Sequence, residues 1–265
     1  MSKQLLIYGQ AAAISKDKHA NYSVKAGTDY SFAKNINSIP LTAVEFANAA
    51  TEFSIVFAGS EGNLMPAVIT GVRSEENLYV DDAGAFTAKY TPAFLRRYPF
   101  VFSSSDDGAN FTLCIDEAFD GCNEDGRGER LFDADGEQTQ YLNSVLEFLK
   151  EYQMQFQRTQ LFCKKLQELD LLEPMGAQLT LPAGEKLTLT GFQAISRDKL
   201  KALSGDQLAE LAKTDELELA YMQIQSMRNF SGMLEKVGAA KTEEAEETEE
   251  AEETEEAEET EETES

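Results

Sequence analysis

The stretch "DGEQTQYLNSVLEFLKEYQMQFQRTQLFCKKLQELDLLEP", residues 135–174, decides the fold because it holds the longest helical pattern of the chain. Asp135 and Gln138 approximate a capping box, and Pro174 would stop a helix. The pattern predicts an amphipathic helix of about 34 residues, about 50 Å long, which would bridge two packed regions or pair with another helix. Its apolar side chains recur at spacings of three and four: Leu142, Val145, Leu149, Tyr152, Phe156, Cys163 and Leu166.

After this helix, "AQLTLPAGEKLTLTGF" (residues 177–192) alternates apolar and polar residues on both sides of a glycine turn, which predicts a β-hairpin. Ser204 and Gln207 form a capping box for a short helix. Thr214 is expected to open the last helix, whose apolar stripe is Leu217, Ala220, Ile224, Met227 and Leu234.

Before the long helix, short β-type runs alternate with turn residues. Two segments interrupt them as short helices, "AVEFANAA" (43–50) and "TPAFLRR" (91–97). The sequence therefore predicts an α+β fold: a β-rich N-terminal region with short helices, a long central helix, then a hairpin and C-terminal helices. The predicted strands are "LLIY" (5–8), "FSIVF" (53–57), "MPAVITGV" (65–72), "NLYV" (77–80) and "FTLCI" (111–115).

The chain divides into four predicted regions. Residues 1–119 are the β-rich region, and residues 120–136 are a polar, glycine-rich loop. Residues 137–238 contain the helices and the hairpin, which we expect to pack on the first region as one continuous globular unit. Residues 239–265 are a glutamate-rich tail that contains the repeat "TEEAEE" and no apolar side chain larger than alanine. Such a tail cannot bury enough surface to order itself, so we expect it to be disordered.

Charge restricts the partners. The net charge is −25, and the segment from Lys241 to Ser265 contributes 15 glutamates and one lysine, leaving 33 acidic and 22 basic residues, a net −11, elsewhere. Nucleic-acid binding needs a basic stripe, which this sequence lacks. We therefore expect no nucleic acid and a protein partner instead, and the long helix could also pair with a second copy of the chain.

The sequence contains no run of apolar residues long enough to span a bilayer, and its N-terminal run "LLIY" is too short for a secretory signal. Cys114, Cys122 and Cys163 are odd in number and match no zinc pattern. These features favour a reducing, cytoplasmic location. We expect Cys114 and Cys163 in the core and Cys122 at the surface.

The usual catalytic constellations are missing from the sequence. His19 is the single histidine and lies in a polar N-terminal segment, so multi-histidine metal sites are excluded and a triad is not expected. No glycine-rich phosphate loop is present, and we expect no metal and no cofactor. Asp116 is a weak acid/base candidate. Its neighbour Glu117 would point to the opposite face of a strand, so the two carboxyl groups would not share one site.

The best binding candidates lie in "YTPAFLRRYPFVF" (90–102), where Arg96, Arg97 and Tyr98 stand among aromatic residues. Arg127 and Arg130 in the following polar loop extend the set. Arginine and tyrosine are enriched at protein-binding hot spots, and guanidinium groups bind carboxylates and phosphates. Consecutive helical positions lie about 100° apart, so Arg96 and Arg97 cannot point in one direction, although their long side chains could still converge on one edge. The alternative is that the arginine stems pack on Phe94 and Tyr98 and their heads pair with nearby acids.

Several segments together resemble the SapC family of bacterial proteins. The resemblance runs from near the N-terminus to about Leu234 and does not include the glutamate tail. It implies an association with surface-layer, uptake or halogenase-like systems and supplies no catalytic residues; it does not concern the peptide-transporter permease that shares the label. The segments are "NSIPLTAVEF", "MPAVITGVRSEENLYV", "YTPAFLRRYPFVF", "GERLFD", "FCKKLQELDLLEPM", "LTLTGFQAI" and "ELELAYMQIQSMRNF".

Three functions remain open at this point. The first is a non-enzymatic accessory protein that binds a protein partner linked to the systems named above. The second is a sensor or carrier of an anionic small molecule, held by the arginines. The third is a metal-independent enzyme that uses Asp116 or Cys122.

Overall fold

The computed structural model describes residues 6–25, 27, 29–59, 62–104, 110–180, 186–233 and 235–237. The tail predicted for residues 239–265 lies outside this range. The strands are β1 Ala11–Ala13, β2 Ser23–Val24, β3 Ser38–Pro40, β4 Ile55–Ala58, β5 Met65–Ile69, β6 Phe100–Ser104, β7 Phe111–Asp116, β8 Cys122–Asn123, β9 Glu129–Arg130, β10 Leu172–Thr180 and β11 Lys186–Ile195. The α-helices are α1 Lys16–His19, α2 Phe46–Ala49, α3 Ala93–Arg96, α4 Gln140–Glu168, α5 Arg197–Lys201, α6 Gly205–Lys213 and α7 Glu216–Ser226.

A five-stranded antiparallel sheet in the order β10-β11-β4-β5-β3 forms the centre of the molecule. The predicted hairpin is confirmed as β10 and β11, and it joins the sheet where Gln193 of β11 pairs with Phe57 of β4. Strands from before and after the long helix therefore share one sheet. Alternate residues of β4 face different clusters: Ile55 and Phe57 belong to the main core, and Val56 belongs to a second core.

Two smaller sheets accompany it, in the orders β1-β7-β6 and β8-β2-β9. The second uses residues from the segment 120–136, where the sequence predicted a polar loop. Cys122 and Asn123 pair with one side of β2, and Glu129 and Arg130 pair with its other side. This segment is therefore held by backbone hydrogen bonds although its composition is that of a loop.

Helix α4 bridges two packed regions, as its length indicated. Leu142 and Leu149 in its N-terminal half contact the core of the smaller sheets, which includes Phe100, Ile115 and Leu131. In its C-terminal half, Phe162, Cys163 and Leu166 contact the main core of the central sheet. The observed 29 residues give a length of about 44 Å at 1.5 Å per residue.

Both predicted ends of α4 were wrong. The N-cap is Thr139, whose side chain accepts a hydrogen bond from the Leu142 N–H, and not Asp135. The helix ends at Glu168, since Asp170 adopts the left-handed conformation at φ 51°. The Leu171 N–H then bonds to the Leu166 carbonyl, as in a Schellman motif. Pro174, the predicted stop, lies within β10.

Three further predictions need correction: the strands at residues 5–8 and 77–80, and the start of the last helix at Thr214. Leu6–Tyr8 form no strand, and the first strand described is Ala11–Ala13. "NLYV" contributes only an isolated bridge between Val80 and Phe86. The Ser204 capping box is confirmed. Thr214, however, follows the end of α6, and Asp215, at φ 60°, is the N-cap of α7.

Candidate functional site

An open cleft lies where three segments meet: the 3₁₀ turn Ala43–Glu45 with α2, the short helix α3, and the middle of α4. We call it the Arg96 cleft. Its volume is about 620 Å³. It is lined by Thr42, Val44, Glu45, Asn48, Tyr90, Thr91, Ala93, Arg96, Phe148, Glu151, Tyr152 and Gln155.

The buried carboxylate of Glu45 holds two walls of the cleft together. Its Oε2 accepts from the Thr42 N–H at 2.8 Å and the Thr42 hydroxyl at 2.7 Å. Its Oε1 accepts from the Tyr90 hydroxyl at 2.8 Å and the Ala93 N–H at 2.7 Å. Burial, followed by the charge of Glu45, raises the pKa of Tyr90 well above its usual value, so the Tyr90 hydroxyl remains a donor. One carboxylate thus fixes the start of the 3₁₀ turn to the start of α3.

The third wall is attached through Thr159 of α4. The Thr159 hydroxyl accepts from the Ala43 N–H at 2.8 Å and donates to the Gln155 carbonyl at 2.7 Å. Thr159 is completely buried. A buried backbone N–H needs a partner, and this hydroxyl supplies one across two elements. The walls of the cleft are therefore joined by two buried side chains, Glu45 and Thr159, that are both hydrogen-bonded.

Arg96 lies at the last position of α3 and is exposed to the cleft. Its Nε donates to the Thr91 carbonyl at 3.0 Å. Its Cζ lies 5.4 Å from the ring centre of Phe148 and 5.9 Å from that of Tyr90. Since a guanidinium has five N–H donors, several remain for a ligand after these contacts.

Arg97 points away from this cleft into the interior, where its side chain is only 4% exposed. Its Cζ lies 4.5 Å from the ring centre of Phe94, 4.8 Å from that of Tyr152 and 5.7 Å from that of Tyr8. Burial raises the pKa of Tyr152 to about 12 even though the nearby guanidinium lowers it. The two adjacent arginines therefore diverge, and their long side chains do not converge on one edge.

Tyr98 and Asp116 belong to a structural network beside Arg97. The Tyr98 ring stacks on the Phe32 ring, with the two ring centres 4.0 Å apart. The Tyr98 hydroxyl donates to Asp116 Oδ2 at 3.3 Å. The buried Asp116 carboxylate also accepts from the backbone N–H groups of Gly9, Gln10 and Ala118. Each of these N–H groups would otherwise lack a partner. The carboxylate therefore has a structural role: it joins the segment at Gly9 and Gln10 to the end of β7.

Arg127 and Arg130 have separate contacts in the segment around the smallest sheet. Arg127 pairs with Asp125 at 3.4 Å, and both side chains are exposed. Arg130 donates to the Ala20 carbonyl at 3.3 Å. The lining of the Arg96 cleft includes neither of them, nor Arg97 or Tyr98. Of the five predicted binding residues, the structure places Arg96 in this cleft.

The single histidine is buried, contrary to the polar setting that its neighbours suggested. His19 Nδ1 accepts from the Ser15 N–H at 3.2 Å, and its Nε2 lies 3.0 Å from Glu117 Oε1. Because Nδ1 accepts from a backbone N–H, Nε2 is the ring nitrogen that donates to Glu117. Glu117 also accepts from Lys18 at 2.7 Å, and this contact comes first among the causes that lower the pKa of Glu117. Glu117 and Asp116 thus bind different groups, although Glu117 lies just past the end of β7 and not on the strand.

All three cysteines are free thiols. Cys114 and Cys163 are buried, as predicted, whereas Cys122 is half-buried instead of exposed. Burial raises the pKa of the Cys122 thiol to about 11, assisted by the carboxylates of Asp116 and Glu117.

Within the described ranges, no group of three or more His, Cys, Asp or Glu residues could hold a metal ion. No helix in that same part of the chain has the length and apolar character that crossing a membrane requires.

Sequence reasoning predicted only Arg96 among the lining residues, and Glu45, Phe148 and Glu151 are the charged and aromatic members that matter most among those it missed. The pattern Thr42-Ala-Val-Glu45 is a capping-box signature that could have revealed the role of Glu45. Phe148 and Glu151 stand on the long helix, and nothing local shows that α3 lies against them. Their contribution depends on the tertiary approach of the two helices.

The fold and the cleft define a class: an α+β protein with an open, charged cleft between a short arginine-bearing helix and a long helix. The sequence matches the SapC family model over residues 14–233. The chain belongs to the SapC family, which confirms the resemblance noted from its segments, and the matched range contains the whole lining of the Arg96 cleft. No curated protein and no solved structure matches the chain.

Proposed function

We propose that this chain is a non-enzymatic accessory protein that binds a protein partner through the Arg96 cleft. The observation that carries the proposal is that Arg96 is held in place by its neighbours and is exposed to the cleft. Its guanidinium is fixed by Thr91, Tyr90 and Phe148, yet it keeps donors directed at an open surface. Arginines held beside aromatic rings are characteristic binding hot spots, because little side-chain entropy is lost when a partner arrives.

The rim of the cleft supports a macromolecular partner. Val44 is 61% exposed beside the cleft, and Phe148 is half-buried within it. Asn48 and Gln155 add amide groups that can pair with a polypeptide backbone. Mixed apolar and polar linings of this kind are usual at protein interfaces. The partner systems that the family resemblance implies are surface-layer, uptake and halogenase-like systems.

A carrier of an anionic small molecule is the second candidate, and the free donors of Arg96 favour it. Two observations weigh against it. Arg97, Arg127 and Arg130 have contacts elsewhere and do not reinforce Arg96. The carboxylate of Glu151 lines the same cleft and would repel an anion.

The test compares the full-length protein with an Arg96→Ala variant and a matched Arg127→Ala variant. Partners are captured from cells, identified, purified and titrated against all three proteins. We expect Arg96→Ala to weaken the binding of the partner by about tenfold or more, since a hot-spot side chain contributes over 1.4 kcal/mol. Arg127→Ala should bind like the unmodified protein. Equal binding by all three would refute the cleft as the docking site.

A further inference from the structure

Two opposite charges face the Arg96 cleft from different walls. Arg96 extends from α3, and Glu151 extends from α4 three residues after Phe148, the ring that the guanidinium covers. Gln155 Nε2 donates to Glu151 Oε1 at 2.7 Å and so orients the carboxylate. Among the described residues, no ion pair within 4.0 Å joins Arg96 to Glu151. The two charges therefore form no direct ion pair across the cleft.

The other carboxylate of the cleft is already used. Glu45 accepts four hydrogen bonds, two on each oxygen, from Thr42, Tyr90 and Ala93. Each oxygen of a carboxylate offers about two acceptor positions, so Glu45 has none to spare. A ligand in the cleft thus meets one available positive group, Arg96, and one available negative group, Glu151.

This pair of charges sets the chemistry of the occupant. A purely anionic ligand would gain from Arg96 and lose to Glu151, and a purely cationic ligand would do the reverse. A ligand that carries both charges satisfies both walls. The open form of the cleft and the exposed Val44 at its rim suit a chain that crosses the surface.

We propose that the Arg96 cleft binds a polypeptide segment that carries an acidic and a basic side chain. The acidic group contacts Arg96, the basic group contacts Glu151, and the aliphatic stems lie on Val44 and Phe148. This inference rests on the proposed function, because it specifies the partner segment of the same site. It adds that Glu151 attracts the partner, although a carboxylate beside an arginine would oppose a simple anion.

A random peptide library displayed on phage, selected against the full-length protein, tests the inference without a known partner. Selected peptides are synthesised and titrated against the unmodified protein, Arg96→Gln, Glu151→Gln and Glu147→Gln. Glu147 is the matched control, because it is exposed on α4 and does not line the cleft. Unfolding curves confirm that each variant is folded.

We expect the selected peptides to contain both charges, and each of Arg96→Gln and Glu151→Gln to weaken their binding by about tenfold. Glu147→Gln should change nothing. Acidic peptides that bind more tightly to Glu151→Gln would overturn the inference while leaving the cleft as a binding site. Peptides whose binding is indifferent to Arg96→Gln, or a selection that yields none, would overturn both the inference and the proposed function.

Discussion

At the scale of single residues, Arg96 and Arg97 have different surroundings although they are neighbours. The Arg97 side chain is 4% exposed and packs on the rings of Phe94, Tyr152 and Tyr8. We expect Arg97→Ala to lower the free energy of unfolding by about 2–4 kcal/mol, because it removes a large buried side chain and leaves a cavity. Arg96→Ala should cost less than about 1 kcal/mol, since that side chain is exposed. Chemical denaturation of both variants measures the difference, and equal losses would contradict the assignment.

Cys122 offers a second prediction at this scale. Burial and the neighbouring carboxylates raise the pKa of its thiol to about 11, so near neutral pH the reactive thiolate is a minute fraction. We expect iodoacetamide to label Cys122 in the folded protein at least about tenfold more slowly than in the unfolded protein, with a rate that rises with pH. Mass spectrometry of the labelled peptides assigns the site. Rapid labelling of folded protein near neutral pH would show that the thiol is activated.

For the secondary-structure elements, the sequence predicted the long helix α4 but not its ends. The apolar spacing of residues 142–166 correctly predicted a long amphipathic helix, because periodicity reports which face is buried. The ends were missed since they depend on particular side chains: Thr139 caps the start, and Asp170 takes a left-handed conformation that usually belongs to glycine. Helix geometry alone predicted that Arg96 and Arg97 cannot point in one direction and left open whether their long side chains would converge on one edge. The position of Arg96 beside Phe148, in the same cleft as Glu151, could not be predicted locally, since it requires α3 to meet α4.

The corrected N-cap of α4 leads to a direct test. Thr139 Oγ1 accepts from the Leu142 N–H at 3.3 Å, whereas the Asp135 side chain lies outside the helix. Thr139→Ala should destabilise the protein by about 1 kcal/mol, and Asp135→Ala should have an effect of less than about 0.5 kcal/mol. Thermal and urea unfolding of the two variants provide the measurement. A larger effect of Asp135→Ala would restore the capping assignment made from the sequence.

At the scale of the whole molecule, the glutamate-rich tail is predicted to add charge without adding stability. The repeat in Lys241–Ser265 contains no apolar side chain larger than alanine and so has little surface to bury. We expect a chain shortened by these residues to keep the unfolding midpoint of the full chain, measured side by side. A loss of more than about 1 kcal/mol would show that the tail docks on the body.

The remaining question is whether the regions before and after α4 form one unit. Strands β4 and β11 pair in the central sheet, and the buried amide of Gln223 joins them. Its Nε2 donates to the Ile55 carbonyl at 2.9 Å, and its Oε1 accepts from the Ile195 N–H at 3.0 Å. Breaking this link would leave two backbone groups without partners inside the protein. The two regions should therefore unfold together.

Hydrogen exchange followed by mass spectrometry can test this cooperativity. In the unmodified protein, we expect peptides covering Ile55–Ala58 and Gln193–Ile195 to exchange with the same opening free energy, because neither strand can leave the shared sheet alone. Gln223→Leu should lower that free energy for both peptides together, by about 2–5 kcal/mol, whereas Gln225→Leu on the exposed side of α7 should leave it unchanged. If the β11 peptide opened while the β4 peptide stayed protected, the chain would consist of two separable units, and α4 would connect them without making them cooperative.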